Sequence, residues 1–365
     1  MNKPLFDRAD FALPDNVAHV CAGGETACLL RHDAALSRYL RDKSTGLAGR
    51  DAQEAQIARA RAGAARLWGV DAGSIGFVSN VAEGVSIVAE SLTFRDGDNI
   101  VIDAVEYPSV AGPFLGRVAL RQARGDAADR FAAVVDSHTR VIAVSYVSYL
   151  TGERFDLSSL RALADRVGAL LIVDFTQAAG YLPIDAAVAD FAFSACYKWL
   201  LGITGVALAF WNRARQPDWT PVSAGWHSFA PGARGWDTPP PLRDDALRFT
   251  RGNPAHASVY VLAEALDYLA GFAMRDVQAH VQSLTVAMLE RLASLQIPTL
   301  TPTDPVRHGA SVCVPSVRAR QIVDEMTGLG VLAWNGQGRV RFSFHGYNDS
   351  TDVDRAVEAL RASWP

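Results

Sequence analysis

Residues 169–210 read ALLIVDFTQAAGYLPIDAAVADFAFSACYKWLLGITGVALAF. Three short apolar runs stand out in it: Ala169–Asp174, Phe191–Ser194 and Val206–Phe210. Each reads as a strand buried on both faces. Upstream, similar runs occur at Ile75–Val78, Asn99–Asp103 and Val141–Tyr146, with helical stretches between several of them, such as Ala82–Leu92 and Leu157–Val167. Alternation of this kind predicts an α/β fold, doubly wound around a mostly parallel sheet.

The flanks complete the organisation. The first 16 residues read as an irregular arm. Helical periodicity runs from about Arg31 to Trp68, with Gly69 as its stop. Residues Asn212–Leu247 are rich in proline, glycine and tryptophan, and predict a long ordered excursion. A helix over Ala257–Ala270 leads to a C-terminal part that ends in a strand, Gly338–Phe344, and a helix, Thr351–Ala362. Asp349, Ser350 or Thr351 would cap that helix. A chain of 365 residues exceeds one ordinary core. The expected division is an arm (1–16), a large domain (17–256) and a small C-terminal domain (257–365).

Charge and cysteine content exclude several roles. There are 35 basic and 39 acidic residues, a net charge of −4, and no basic run. Nucleic acid and anionic membranes are therefore not the expected partners. The segment MNKPLFDRADF is charged where a signal peptide needs an apolar stretch, and no run is long enough to span a bilayer, so a cytoplasmic protein is expected. Cys21, Cys28, Cys196 and Cys313 form no CxxC pair and no zinc-spaced cluster, so neither a disulfide framework nor a metal site is expected.

Ligands of open α/β sheets sit beyond the carboxyl ends of the strands. Five segments there carry polar residues. In FVSNVAEG (Phe77–Gly84), Asn80 and Glu83 form an N-x-x-E capping box, and the amides of Val81 and Ala82 would point out of the helix end as an anion site. Alone, this is more often a plain capped helix. In DAVEYPSV (Asp103–Val110), Tyr107 could stack on a planar ligand or simply lie at the surface. In SYVSYLTGE (Ser145–Glu153), Tyr146 and Tyr149 can equally pack in the core. In LLIVDFTQAAG (Leu170–Gly180), Asp174 ends a strongly apolar run and needs a partner, either a local amide or arginine, or a protonated ring nitrogen. In the last, Lys198 lies among Cys196, Tyr197, Trp199 and Leu200. Apolar surroundings lower an ammonium pKa and make the amine a nucleophile towards carbonyls. An isolated lysine of this kind more often snorkels to water.

Together the weights change. Lys198 follows Asp174 by 24 positions, each after a buried strand, with an anion-ready helix end upstream. That is a coherent cofactor site: an acid to keep a pyridine nitrogen protonated, and an amine to join a carbonyl.

At these residues the chain resembles the class V aminotransferases, the fold type I pyridoxal 5′-phosphate group that includes cysteine desulfurases, isopenicillin N epimerase-like proteins and kynureninases. The resemblance runs from about Ala22 to the C-terminus. It implies a large domain with a mostly parallel seven-stranded sheet flanked by helices, and a smaller α/β domain. It assigns Lys198 as the Schiff-base lysine and Asp174 as the partner of the pyridine nitrogen. Gln177 stands at the phenolic oxygen and Tyr107 at the ring face, where desulfurases carry histidine. Asn80, Val81, Ala82 and Tyr197 fall at the phosphate, and Tyr149 flanks the ring's oxygen side.

Two further segments fit. ALRFTRGNPAH (Ala246–His256) resembles the family's RFxxGTP, with Asn253 in place of threonine. Trp226 in AGWHS sits where kynureninases have a phosphate-contacting tryptophan, although a core or interface tryptophan is an equal reading. Both imply a homodimer with shared sites. GRVRFSFHGYND (Gly338–Asp349) resembles RxSxxxYN, which makes Arg341 the ligand of the substrate carboxylate.

The chain departs from the desulfurase pattern. Residues Ile322–Val340 hold no cysteine, and Cys313 lies upstream in SVCVP, which reads as a strand. The expected activity is an aminotransferase acting on an amino acid. The alternatives are a lyase, an epimerase or a kynureninase-like hydrolase, and, from another class, a non-catalytic protein of the same fold. A Rossmann nucleotide binder is disfavoured because no GxGxxG follows the first strand. His227, Trp334, His345 and Arg251 are candidate pocket residues that the pattern does not place.

Overall fold

The buried apolar runs assemble into one seven-stranded sheet in a computed structural model that describes residues 3–125, 129–232, 237–238 and 240–364. In chain order the strands are β1 (Ala18–His19), β2 (Ile75–Val78), β3 (Asn99–Asp103), β4 (Ala119–Ala123), β5 (Thr139–Ser145) and β6 (Leu170–Asp174). They continue with β7 (Phe191–Ala195), β8 (Ala207–Trp211), β9 (Ser311–Pro315), β10 (Val331–Leu332), β11 (Trp334–Gly336) and β12 (Arg339–Ser343). The large sheet has the order β2-β8-β7-β6-β5-β3-β4. Only β8 runs antiparallel to its neighbours. Every predicted strand is present, within two residues at each end.

Register sets the site. Ser145 pairs with Asp174, and Asp174 with Phe193, so β5 and β6 end level and β7 runs two residues further. Helices such as Val81–Ser91 and Leu157–Val167 pack against the sheet. Edge strand β4 was not expected; it is largely exposed and carries Arg121 and Gln122 in place of an apolar run. The helix expected over Arg31–Trp68 is in fact two, His32–Lys43 and Leu47–Trp68. The break falls at Gly46, whose φ of +63° a side chain would disfavour. Gly69 ends the second helix in the left-handed region, as expected.

The C-terminal part is a three-stranded antiparallel sheet, β11-β12-β9, with the helices Met274–Ser294, Ala319–Gly328 and Ser350–Ser363. Asp349 caps the last helix by accepting from the amides of Thr351 and Asp352, and the Asp352 carboxylate in turn accepts from the Asp349 amide. The helices His256–Leu269 and Met274–Ser294 are apolar together but bend by 86°, and no single helix is long and apolar enough to cross a membrane among the described residues. We propose the domain division 1–16, 17–256 and 257–365; the helix His256–Leu269 at its second boundary packs on the two helices of residues 32–68.

The arm is ordered. Phe6 is fully buried against Phe272 and His345, and the amides of Leu5 and Phe6 both donate to the Gly346 carbonyl at 2.8 Å. Parallel pairing of β1 with β10 then carries residues 20–25 across to β12, where Ser343 donates to the Val20 carbonyl. The excursion after β8 contains no strand among the described residues. It holds short turns of 3-10 helix at Trp226–Ser228 and Ala246–Phe249, while residues 233–236 and 239 of it lie outside the described residues.

Candidate active site

Asp174 is the last residue of β6 and is buried. It accepts the Thr176 amide at 2.8 Å, and the Thr176 hydroxyl accepts the Ala195 amide at 2.9 Å. The turn after β6 is thus sewn to the end of β7. Burial pushes the Asp174 carboxyl above its usual range, against the Thr176 bonds and the Lys198 charge.

Lys198 lies three residues past β7 in a tight turn, where Leu201 donates to the Lys198 carbonyl and Gly202 to that of Cys196. Burial lowers its amine to about 8; Arg341 adds to this, while Asp174 and Glu25 oppose it. Its Nζ lies 5.9 Å from the Tyr107 ring centre and 5.5 Å from that of Tyr197. Tyr107 in turn meets Tyr149 edge-on at 4.9 Å.

Across the site, Asn80 caps the helix Val81–Ser91 by accepting the Glu83 amide at 2.9 Å. The expected reciprocal bond is displaced by one residue: Glu83 accepts from the Ser79 amide at 2.6 Å, not from Asn80. The amides of Val81 and Ala82 occupy the first turn, which has no intrahelical acceptor for them. The dipole of the helix adds to their pull on an anion.

Two cavities meet at Lys198. The smaller, about 90 Å³, is lined by Asn80, Val81, Ser145, Asp174 and Thr176. The larger, about 260 Å³, is lined by Gly23, Gly24, Glu25, Trp334, Arg339 and Arg341. Tyr107, Tyr149, Gln177, Tyr197 and Lys198 form the wall between them. Gln177 donates to the Gly23 carbonyl at 3.1 Å, which fixes residues 23–25 against that wall. Arg341 is buried, and burial lowers its guanidinium to about 10. A third cavity, about 470 Å³, lies beside Arg130, Tyr146 and Arg154 and shares no residue with these two.

Of the twelve residues given a site role by the resemblance, ten line one or both of the Lys198 cavities or sit in the helix turn beside them. Trp226 and Asn253 do not join them within one chain. Trp226 is 58 % exposed with the Arg50 guanidinium 5.9 Å from its ring centre, and Asn253 accepts from Arg50 at 2.9 Å. Trp334 is a cavity residue. His345 is fully buried, bonded to the Trp199 carbonyl at 3.0 Å and lowered to about 3 by burial, so it serves the core. His227 is buried near Glu54, and Arg251 lines a separate cavity of about 300 Å³ together with Asn253. Cys313 is buried in β9 opposite Arg341, and burial pushes its thiol up. The strand β11 and the turn at Gln337–Gly338 occupy the segment before Arg341.

Sequence reasoning missed Glu106, Thr176, Gly23–Glu25 and Arg339. Glu106 and Thr176 had a local signal: each lies within three residues of a strand's carboxyl end. Arg339 had one too, two positions before Arg341 on the same face of a strand, whereas Gly23–Glu25 reach the site through tertiary pairing alone.

The profile of the family described as aminotransferase class-V matches residues 42–356. The chain belongs to that family. Among relatives of this class V aminotransferase family member, an uncharacterized aminotransferase of Bacillus subtilis is 24% identical over 313 residues, covering 82% of this chain and 81% of the relative. The cysteine desulfurase of Thermococcus onnurineus NA1, solved in its apo form, superposes with a TM-score of 0.88 at 21% identity, covering 99% of this chain and 98% of that one. A mutant of C-DES with glycine covalently linked to its PLP cofactor superposes with a TM-score of 0.87 at 22% identity, covering 97% of this chain and 99% of that one. The architecture is that of the fold type I enzymes.

Proposed function

We propose that this chain is a pyridoxal 5′-phosphate enzyme that transforms an amino acid, with transamination as its first reading. One observation carries it. Lys198, an amine lowered to about 8, stands between a compartment holding a buried acid and a helix N-terminus, and a compartment holding a buried arginine. The donor set matches the cofactor group by group: Asp174 for the pyridine nitrogen, Val81 and Ala82 for the phosphate, Lys198 for the aldehyde. A protein of the same fold, C-DES, carries this cofactor.

When bound, the cofactor supplies a pyridine ring that draws electron density from the substrate's α-carbon. Asp174 holds the proton on the ring nitrogen. Tyr107 covers a ring face, Gln177 serves the phenolic oxygen, and Tyr149 and Tyr197 close the sides. Asn80 keeps the phosphate-binding helix end in place. Arg341 takes the substrate carboxylate in a two-point fork. Lys198 Nζ takes and returns the proton at the α-carbon. Trp226 and Asn253 would complete the phosphate site of a second copy, which makes the working unit a homodimer.

Elimination, epimerisation and hydrolytic C–C cleavage form the second reading, and the likeness to C-DES, a cystine C-S lyase, favours elimination among them. A desulfurase thiol route has less support, since Cys313 is buried in a strand and the segment before Arg341 holds none. The test is the absorbance of protein mixed with pyridoxal phosphate, before and after borohydride, beside Lys198→Ala. Wild type should bind the cofactor and be fixed to it by reduction; the variant, which lacks the amine, should not be fixed. A wild type that takes up none overturns the proposal. Conversion of the bound cofactor to its amine form by an amino donor alone marks a transaminase, whereas release of a keto acid with ammonia, release of alanine, or inversion of the amino acid marks the second reading.

A further inference from the structure

Arg339 lines the cavity beside Lys198, and the proposed chemistry does not use it. It stands two positions before Arg341 on β12, so both side chains leave the same face of the strand. Both are buried, at 2 % and 3 % exposed. Arg339 donates to the Gly336 and Tyr149 carbonyls, each at 2.5 Å, and Arg341 donates to the Tyr149 carbonyl at 3.2 Å. One carbonyl oxygen therefore holds two guanidinium groups, whose bonded nitrogens are no further apart than those two bonds laid end to end.

The charge on this pair is answered by no carboxylate among the described residues. Neither arginine forms an ion pair with a carboxylate among the described residues, and the Nε of each has no partner. The carboxylate of the cavity wall belongs to Glu25, which is exposed at the mouth and solvated there. A buried cation without a counter-ion is strongly unfavourable, and two side by side are worse. Pinning two carbonyls needs only a neutral amide donor. A second buried positive charge is accounted for by a second negative charge on the ligand.

We infer that Arg339 and Arg341 form a paired oxyanion site, and that the amino acid this chain acts on carries a second acidic group on its side chain. The substrate class rests on the proposed function. Arg341 takes the α-carboxylate and Arg339 the side-chain carboxylate or comparable oxyanion. The closeness of the two guanidinium groups suits a short carbon chain, walled by Trp334 and Tyr149.

The experiment is calorimetric titration of the cofactor-loaded protein with succinate, glutarate and butyrate, which cannot react. One of the dicarboxylates should bind about tenfold or more tighter than butyrate, as expected of an added charge-assisted contact. Arg339→Gln should remove that preference and leave butyrate binding nearly unchanged. Arg339→Lys, which keeps the charge, should retain part of it, and Arg341→Gln should weaken all three ligands. Equal binding by the wild type overturns the inference. So does an Arg339→Gln protein that loses butyrate as much as succinate, because both arginines then share one carboxylate. If Arg339→Gln does not fold, the wild-type ratio and the lysine variant decide. The same titration without cofactor separates the two proposals: dicarboxylate preference in a protein that takes up no pyridoxal phosphate sinks only the proposed function, and cofactor uptake without preference sinks only this inference.

Discussion

Glu106 accepts the Ser145 hydroxyl at 2.5 Å and so ties the turn after β3 to the last residue of β5. The same carboxyl accepts the amides of Ser145 at 2.8 Å and Tyr107 at 2.6 Å. Burial pushes it up to about 7, with the bonds opposing and the charge of Asp174 adding. Glu106 is thus a positioning residue for the Tyr107 ring.

Glu106→Ala leaves those donors without their acceptor. The expected cost is about 1–3 kcal/mol of stability, with weaker cofactor retention as Tyr107 loosens. The sign of the pH effect follows from a folded value of about 7, above the ordinary 4.5 of a free glutamate. Between these the folded state binds more protons, so this group's contribution is full below 4.5 and is lost as pH rises through 7. Urea melts of wild type and Glu106→Gln across that window check it, and identical slopes would remove the role.

Lys198 should reveal itself through pH. Only a neutral amine attacks a carbonyl. With the amine at about 8, uptake of pyridoxal phosphate by cofactor-free protein should rise about tenfold from pH 6 to 7 and level off above 8. A rise continuing to pH 10 would mark an ordinary surface lysine. The depressed value also costs stability: the unfolded chain binds more protons between about 8 and 10.5, so the penalty is full below 8 and gone above 10.5. Lys198→Met should therefore stabilise the cofactor-free protein by about 3 kcal/mol at pH 7 and by far less at pH 10.5.

How far the site was legible depended on how each residue reaches it. Asp174 and Lys198 follow apolar strands directly, so a polar residue at the end of a buried run marks both. Asn80 was legible because a cap is local. Gly23–Glu25 arrive only because Ala18 pairs with Val331, more than three hundred residues away, which no local pattern encodes. Arg339 was placed by its spacing of two from Arg341 on one strand face, but its use shows only in the Tyr149 carbonyl that binds both. Strand β4 lacks the apolar run that identified its neighbours, because it lies at an edge in water. The break at Gly46 was hidden because the residues on both sides keep a helical character. Trp226 and Asn253 lie apart from Lys198 within one chain, so their proposed role needs a second copy that no single sequence displays.

Asn80 allows the cap and the anion site to be separated. Asn80→Ala removes the acceptor for the Glu83 amide and should cost about 1 kcal/mol of stability. Asn80→Asp keeps an acceptor of equal quality but places a negative charge beside the phosphate position. It should fold as stably as wild type and still bind pyridoxal phosphate several-fold more weakly, with the gap narrowing as salt screens the charge. Thermal melts and cofactor titrations at two salt concentrations decide. An aspartate variant that binds the cofactor normally would place the phosphate elsewhere.

Gly24 links the arm side of the cavity to Arg341. A Cβ on Gly24 would fall 2.4 Å from Cε3 of Trp334, inside the van der Waals limit. Trp334 is 41 % exposed, so its ring can swing outward without breaking the core. It also opens β11 and pairs in register with Arg341, so moving it disturbs the strand that aims the guanidinium. Gly24→Ala should therefore weaken binding of a carboxylate such as butyrate by about tenfold, the scale of one charge-assisted contact, while melting temperature and cofactor uptake stay near wild type. If the chain at residues 23–24 yields instead, the bond from Gln177 to the Gly23 carbonyl breaks, and the absorbance of the bound cofactor shifts along with the loss of butyrate. Unchanged butyrate affinity and an unchanged spectrum together would show that Trp334 does not govern Arg341.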